Sequence, residues 1–453
     1  MGIQQKHILE DGMKNKYRQH GSVFELNGIP KFSQLLPLSL QHLVAMIVGC
    51  VTPALIVSGV AGLSQGDTVI LVQASLVIAA ISTVVQVFPI AGKLGSGLPV
   101  ILGVSFAYLP TLQAIAGSYD IATILGAQLI GGICAVIVGI YVKKLRVLFP
   151  PLITGTVVFT IGLSLYPTAV NYMAGGFGSP SYGSWKNWVV AIFTLAVVTF
   201  LNHFAKGIFK IASILFGIIA GYIAALCLGM IDFGSIGAAS YFQLPGLMHF
   251  GIDFEFSSIV AMSILFIINS VQAIGDFTAT TTGGMDREPT DTELQGGIMA
   301  YGITNVLGSF LGGLSTATYS QNVGIVATTK VVNRMVFGLA ALLMLLAGLI
   351  PKFSALLTTI PQCVLGGATI SVFASIAMTG LKLIFQEPLS YRSSSIVGLS
   401  VALGMGLTQA GESLAQFPEW VTTIFGKSPV VLATLAAILL NQVLPHKNTA
   451  DQP

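Results

Sequence analysis

Apolar runs about as long as a bilayer is thick follow one another along almost the whole chain, and that pattern leaves few folds open. Fourteen can be delimited, at about 36–60, 68–90, 99–117, 121–142, 148–170, 187–204, 210–231, 258–280, 296–313, 316–329, 334–351, 357–380, 393–410 and 428–445. Most approach the ~20 residues that a membrane-crossing helix needs. The third and tenth are shorter and interrupted, and the ninth or thirteenth is a candidate for a re-entrant segment. Only 8% of residues are charged, against roughly 25% in a soluble domain. A soluble chain of this length could bury such a core but could not cover it with so little charge. The expected class is an all-α polytopic membrane protein.

Charge placement tests the count independently. With both termini cytoplasmic, all but Lys186, Lys352 and Lys427 of the 20 basic residues fall on inner connections. Asp67, Asp120, Asp232, Asp253, Glu255, Glu412 and Glu419 fall on the outer side. Basic asymmetry orients inserted segments, so a miscounted segment would scramble the alternation from that point on. Residues 1–34 are polar and read as a solvated cytoplasmic tail without a cleavable signal. The net charge of +3 is too small to suggest nucleic acid as a partner. The run Lys143, Lys144 and Arg146 is explained by topology and anionic lipid. Cys50, Cys134, Cys227 and Cys363 all lie in apolar runs without metal or redox spacing, and read as small buried hydrophobes.

Split after the seventh segment, the chain gives two halves of seven. An odd number inverts the second half relative to the first. The interrupted third and tenth segments then occupy matching places: LPVILGVSFAYLP at 98–110 and STATYSQNVGIVATT at 315–329. Interrupted segments at corresponding positions of inverted halves point to a transporter's binding site. The stretch 315–334 supports this, because Gln321, Asn322, Gly324 and Thr329 are too polar or too flexible for a helix facing lipid.

One carboxylate, Asp276, lies deep in a segment, where an unpaired charge costs at least ~2.5–3.5 kcal/mol on insertion scales. Asn269, Gln272, Asp276 and Thr280 form one stripe on a helix. Interhelical hydrogen bonds suit Asn269 and Thr280, whereas Asp276 asks for a functional role. His42 has two readings, a proton carrier near neutral pH or a satisfied core histidine. His203 and His249 lie at segment ends and read as interfacial. No Walker-type loop, GxSxG or clustered metal signature is present, so an ATP-driven pump, a hydrolase, a metal site and a bound cofactor are not expected.

Gln321-Asn322-Val323-Gly324 followed by Thr329-Lys330 matches the Q/E/P-N-x-G-x-x-x-x-T-R/K/G signature, and the chain resembles the nucleobase–ascorbate transporters. The blocks QHLVAMIVGCVTPALIV, GSGLPVILGVSFAYLP and QAIGDFTAT resemble the family's first, third and eighth spans. The resemblance implies fourteen segments in two inverted seven-segment repeats, with short β-strands in segments 3 and 10. It implies a core domain (35–145, segments 1–4, and 256–352, segments 8–11). A gate domain (146–232, segments 5–7, and 353–445, segments 12–14) would mediate a homodimer. Tails at 1–34 and 446–453 would be cytoplasmic, in a bacterial inner membrane.

For the site, the resemblance implies that Gln321 reads an N–H/C=O edge of a base and that Asn322 supports the motif backbone. Phe106 would flank the ring and Ser105 tune the polarity. Gly324 and Thr329 would support the motif. Asp276 and His42 would belong to the network behind proton coupling. Gln272 stands where the family has a substrate-binding glutamate, and Tyr301 where many members carry an acid. Gln272 keeps the shape but cannot exchange a proton, which leaves Asp276 as the titratable carboxylate of the core. The implied activity is proton-coupled uptake of xanthine or uric acid by an elevator-like movement. Uracil uptake is the alternative within transport. An anion exchanger of a related inverted-repeat fold is the alternative from another class. It would want a basic residue near the half-helix N-termini, and segments 3 and 10 offer none before Lys330.

Overall fold

Capping groups mark where the helices begin. In the computed structural model, residues 23–142, 150–176, 178–231, 233–238, 240–386, 388–418, 421–426 and 428–445 are described. The terminal tails at 1–22 and 446–453, the basic run Lys143, Lys144 and Arg146, and Asp232, Glu419 and Lys427 lie outside these residues. Helices α1 (Phe32–Val60) and α2 (Gln65–Val87) form an antiparallel pair, with Ser64 accepting from the Asp67 N–H at the start of α2. After strand β1 (Leu102–Val104), α3 (Leu109–Ser118) begins with Pro110 in its first turn, where a missing N–H costs nothing. Asp120 caps α4 (Ile121–Ile140) through the Thr123 N–H. The next elements are α5 (Pro151–Ser164), α6 (Tyr166–Met173), α7 (Trp185–Phe204) and α8 (Ser213–Cys227).

The second half repeats the plan. It contains α9 (Phe256–Met285), α10 (Asp291–Leu311), strand β2 (Thr316–Thr318) and α11 (Ser320–Thr329). Then come α12 (Arg334–Gly348), α13 (Pro351–Thr358), α14 (Gln362–Ile384), α15 (Tyr391–Gln409) and α16 (Pro429–Val443). A reciprocal cap between Thr290 and Glu293 opens α10. With α5 and α6 taken as one, seven helices of the described residues are long and apolar enough to cross a membrane, or eight if α12 and α13 are one span bent by 80°. Neither α10 nor α15, in the ninth and thirteenth segments where a re-entrant stretch was expected, is among those seven, and the 80° bend lies instead between α12 and α13. Its cause is Pro351, which cannot continue a helix from the preceding turn.

The helices pack as two groups. In one, α4 lies against α9 and α10, and α12 against α1 and α2. In the other, α14 packs on α5, α6 and α7, while α16 packs on α15 and α5. Small residues bring the second group close: a Cβ on Gly155 would lie 2.8 Å from the Gly380 carbonyl oxygen, and one on Gly162 2.4 Å from the Ala377 nitrogen. Such contacts let backbones approach where lipid gives no hydrophobic drive between helices. Large apolar side chains stay on the outside, among them Ile192, Phe200, Leu399 and Leu403. Cys227 is also exposed, unlike the buried Cys50 and Cys363, because its helix turns that face outward.

Residues 23–28 are not the solvated tail their polarity suggested. The Val23 carbonyl accepts from the N–H groups of Val332 and Asn333, and the Leu26 carbonyl from Arg334. Asn333 Nδ2 donates to the Glu25 and Gly28 carbonyls at 2.9 and 2.8 Å. The backbone between α11 and α12 needs partners, and this segment supplies them.

Candidate functional site

Strands β1 and β2 pair antiparallel in the register Leu102–Thr318, Gly103–Ala317 and Val104–Thr316. The ladder continues at both ends, from Ser105 N to the Ser315 carbonyl at 3.2 Å and from Tyr319 N to the Ile101 carbonyl at 3.0 Å. A two-stranded sheet inside a helical bundle leaves outer edges that need partners, because unsatisfied backbone in such surroundings costs several kcal/mol. Buried side chains meet that need. Thr83 of α2 donates to the Leu102 carbonyl at 2.9 Å and accepts from its N–H at 3.1 Å. Asn305 of α10 does the same for Thr316, at 3.2 and 2.8 Å. Each strand is thus held by one buried polar side chain from a neighbouring helix, through the same two-point contact. Gln128 of α4 accepts from the Ser315 hydroxyl at 2.9 Å and donates to the Gly313 carbonyl at 3.0 Å.

The strands lead into helices α3 and α11, and the turn at 105–107 before α3 and the first turn of α11 border one cavity of about 260 Å³. Ser105, Phe106, Gln272, Ser320 and Gln321 all line it, and Ser320 and Gln321 are exposed within it. Phe106 meets Phe373 edge-on, with ring centroids 5.1 Å apart. Thr369, Ser375 and Thr379 of α14 form the opposite wall. Among the described residues lining this cavity none is charged.

Two expected site residues stand behind the wall. Asp276 is buried, and both its carboxylate oxygens accept hydroxyls, one from Thr318 and one from Ser320 at 2.8 Å. His42 is also buried, against the Phe337 ring at 4.4 Å between centroids, and bonds Asn322. Asn322 therefore ties α11 to α1 through the His42 carbonyl at 3.1 Å, instead of bracing the motif's own backbone. Thr280 is not interhelical glue either: its hydroxyl donates to the Asp276 carbonyl one turn back at 2.8 Å. Asn269 donates to the Leu265 carbonyl of its own helix at 3.0 Å and also bonds the Tyr108 side chain at the start of α3, as expected of an interhelical tie.

The motif's remaining positions are structural in different degrees. Thr329 and Lys330 end α11: the Thr329 hydroxyl accepts from the Val331 N–H at 3.3 Å, and Lys330 adopts φ 59°. Lys330 pairs at 3.0 Å with Asp286, which ends α9 at φ 53°. Gly324 lies on an open helix face where an added Cβ meets nothing within 4 Å, so no steric reason for glycine appears here.

Two contributors, Tyr319 and Tyr108, were not singled out in the sequence. Tyr319 fits between Gly49 and Gly103, whose added Cβ atoms would each lie 2.8 Å from its ring. Its hydroxyl donates to the Val104 carbonyl at 2.6 Å. An aromatic residue between strand and half-helix, matched with glycines in segments 1 and 3, was the available signal. Tyr301 bonds Tyr108 hydroxyl to hydroxyl, a neutral pair joining α10 to the start of α3.

A permease-family model matches residues 33–412. The uric acid permease PucK of Bacillus subtilis is 34% identical over 92% of this chain and 97% of its own. The xanthine permease XanQ of Escherichia coli K12 is 33% identical over 93% of this chain and 94% of its own. Solved structures match in fold at low identity. The transmembrane domain of a cyanobacterial bicarbonate transporter, BicA, aligns with TM-score 0.57 and 15% identity over 89% of this chain and 98% of that one. The inward-facing murine Solute Carrier 26 family member A9 anion transporter gives 0.60 and 12%, over 90% and 68%. This chain is an integral membrane protein and not an enzyme, and it belongs to the permease family that contains the xanthine and uric acid permeases, the nucleobase–ascorbate transporters.

Proposed function

We propose that this protein is a proton-coupled importer of an oxidised purine, xanthine or uric acid. The observation that carries the reading is the cavity itself, where the carboxamides of Gln272 and Gln321 share an uncharged wall with Phe106. A carboxamide presents a donor and an acceptor side by side, which matches the N–H/C=O edge of a base. Phe106 supplies an apolar surface for the ring, and the hydroxyls of Ser105 and Ser320 tune the polarity. Xanthine and uric acid permeases among the relatives support the substrate class. The absence of a cation among the described lining residues favours a ligand read through hydrogen bonds and ring contact over a compact inorganic anion.

In this reading the chain crosses the membrane fourteen times, with both termini cytoplasmic, in a bacterial inner membrane. Segments 1–4 and 8–11 are a core that carries the site, and segments 5–7 and 12–14 a gate that forms a homodimer. The two packing groups support that division. The core moves against the gate in an elevator-like step, and Asp276 holds the coupling proton. His42 anchors α11 to α1 through Asn322.

Uptake of radiolabelled xanthine and urate into proteoliposomes under an imposed pH gradient tests the proposal. Accumulation that collapses with a protonophore is the expected result. Accumulation indifferent to the gradient contradicts the coupling, and no purine uptake contradicts the substrate.

A further inference from the structure

Ser320 is the first residue of α11, next to Gln321, and its side chain borders the cavity. Its hydroxyl donates to Asp276 Oδ1 at 2.8 Å. Asp276 does not line the cavity; its other oxygen is taken by Thr318, so the carboxylate is fixed from both sides. A serine hydroxyl has one proton and two lone pairs. While Asp276 is ionised the Ser320 proton is committed to it, and Ser320 offers only lone pairs to whatever fills the cavity. The carboxamides of Gln272 and Gln321, in contrast, each present a donor and an acceptor, and a half-turn of the amide exchanges them.

From this we infer that Ser320 is a specificity-determining residue that accepts a hydrogen bond from a ring N–H of the ligand, and that Asp276 is the positioning residue that fixes its polarity. The inference rests on the purine reading above. An amide pair alone would accept a base in either of two flipped orientations. One obligate acceptor removes the ambiguity, because a ligand carbonyl placed against it would be repelled and left unpaired.

The test is calorimetric binding to the purified full chain in detergent. The ligands are whichever of xanthine and urate binds, and its derivatives singly methylated on each ring nitrogen. The proteins are the parent chain, Ser320→Ala, Ser320→Thr, Asp276→Ala and the double Ser320→Ala/Asp276→Ala variant, each checked for a monodisperse profile. Ser320→Ala should weaken binding of the parent purine roughly tenfold, with most of the loss recovered in Ser320→Thr. The loss should vanish for the single methylated derivative that lacks the N–H aimed at residue 320. Asp276→Ala and Ser320→Ala should combine with less than additive loss, as expected for groups acting through one another. Equal losses for every ligand, or unchanged binding in Ser320→Ala, overturn the inference while leaving the purine reading intact. A parent chain that binds neither purine overturns both.

Discussion

Asn322 holds His42 at two points, with its Nδ2 3.1 Å from the His42 carbonyl oxygen and 3.1 Å from Nδ1. The carbonyl can only accept, so the amide nitrogen faces the histidine and Nδ1 must accept as well. The imidazole is then neutral with its proton on Nε2. Of the two readings open for His42, this geometry supports a tie between α1 and α11. Asparagine carries an acceptor that can take the place of Nδ1, so His42→Asn should retain uptake and its pH profile. His42→Leu leaves a buried N–H unpaired, at a cost of about 1–3 kcal/mol, and should lower the melting temperature. Loss of proton dependence in His42→Asn, measured as uptake across a pH series, would show a relay instead.

Position 272 bears on coupling. Gln272 has the shape of a protonated glutamate and lines the cavity beside Gln321. Gln272→Glu should restore or increase proton-dependent xanthine uptake. Unchanged uptake in that variant, with the parent already fully proton-dependent, would contradict this view.

Gln321 makes the two-point contact with the base in this account. A bidentate amide–base pair carries about 1–3 kcal/mol of discrimination. Gln321→Ala should therefore weaken purine binding roughly 5- to 150-fold in a calorimetric titration while the protein stays folded. Affinity equal to the parent's would refute the assigned role.

Lys330 sits at a left-handed helix end, where a side chain is strained by roughly 1–2 kcal/mol and glycine is not. Its ion pair with Asp286 is exposed and worth no more than about 1 kcal/mol. Lys330→Gly should leave the melting temperature unchanged or raised, whereas the β-branched Lys330→Val should lower it. This backbone requirement accounts for glycine at the motif's last position, though not for lysine or arginine.

Much of the fold was readable because membrane burial is written in long runs and in charge placement. The interruptions at 98–110 and 315–329 could be seen as breaks, since Pro110 and the glycines disfavour helix there. How those breaks are satisfied was not readable. Thr83 and Asn305 look like ordinary polar residues in apolar segments until the strands they hold are in place. The same limit applied to Asn322 and Thr280, whose partners depend on which helix face meets which neighbour. Ser320 went unnoticed beside Gln321 because serine carries little signal on its own. The bend between α12 and α13 falls at Pro351-Lys352, where the eleventh apolar run ends; the sequence marks the break but not its angle.

The most direct test of the account is a thermal-shift and calorimetric screen of the parent protein. Its ligands are xanthine, urate, hypoxanthine, guanine, uracil, bicarbonate and sulfate. The account predicts stabilisation by xanthine or urate and none by uracil or the inorganic anions. Stabilisation by bicarbonate or sulfate with no response to any purine would contradict it.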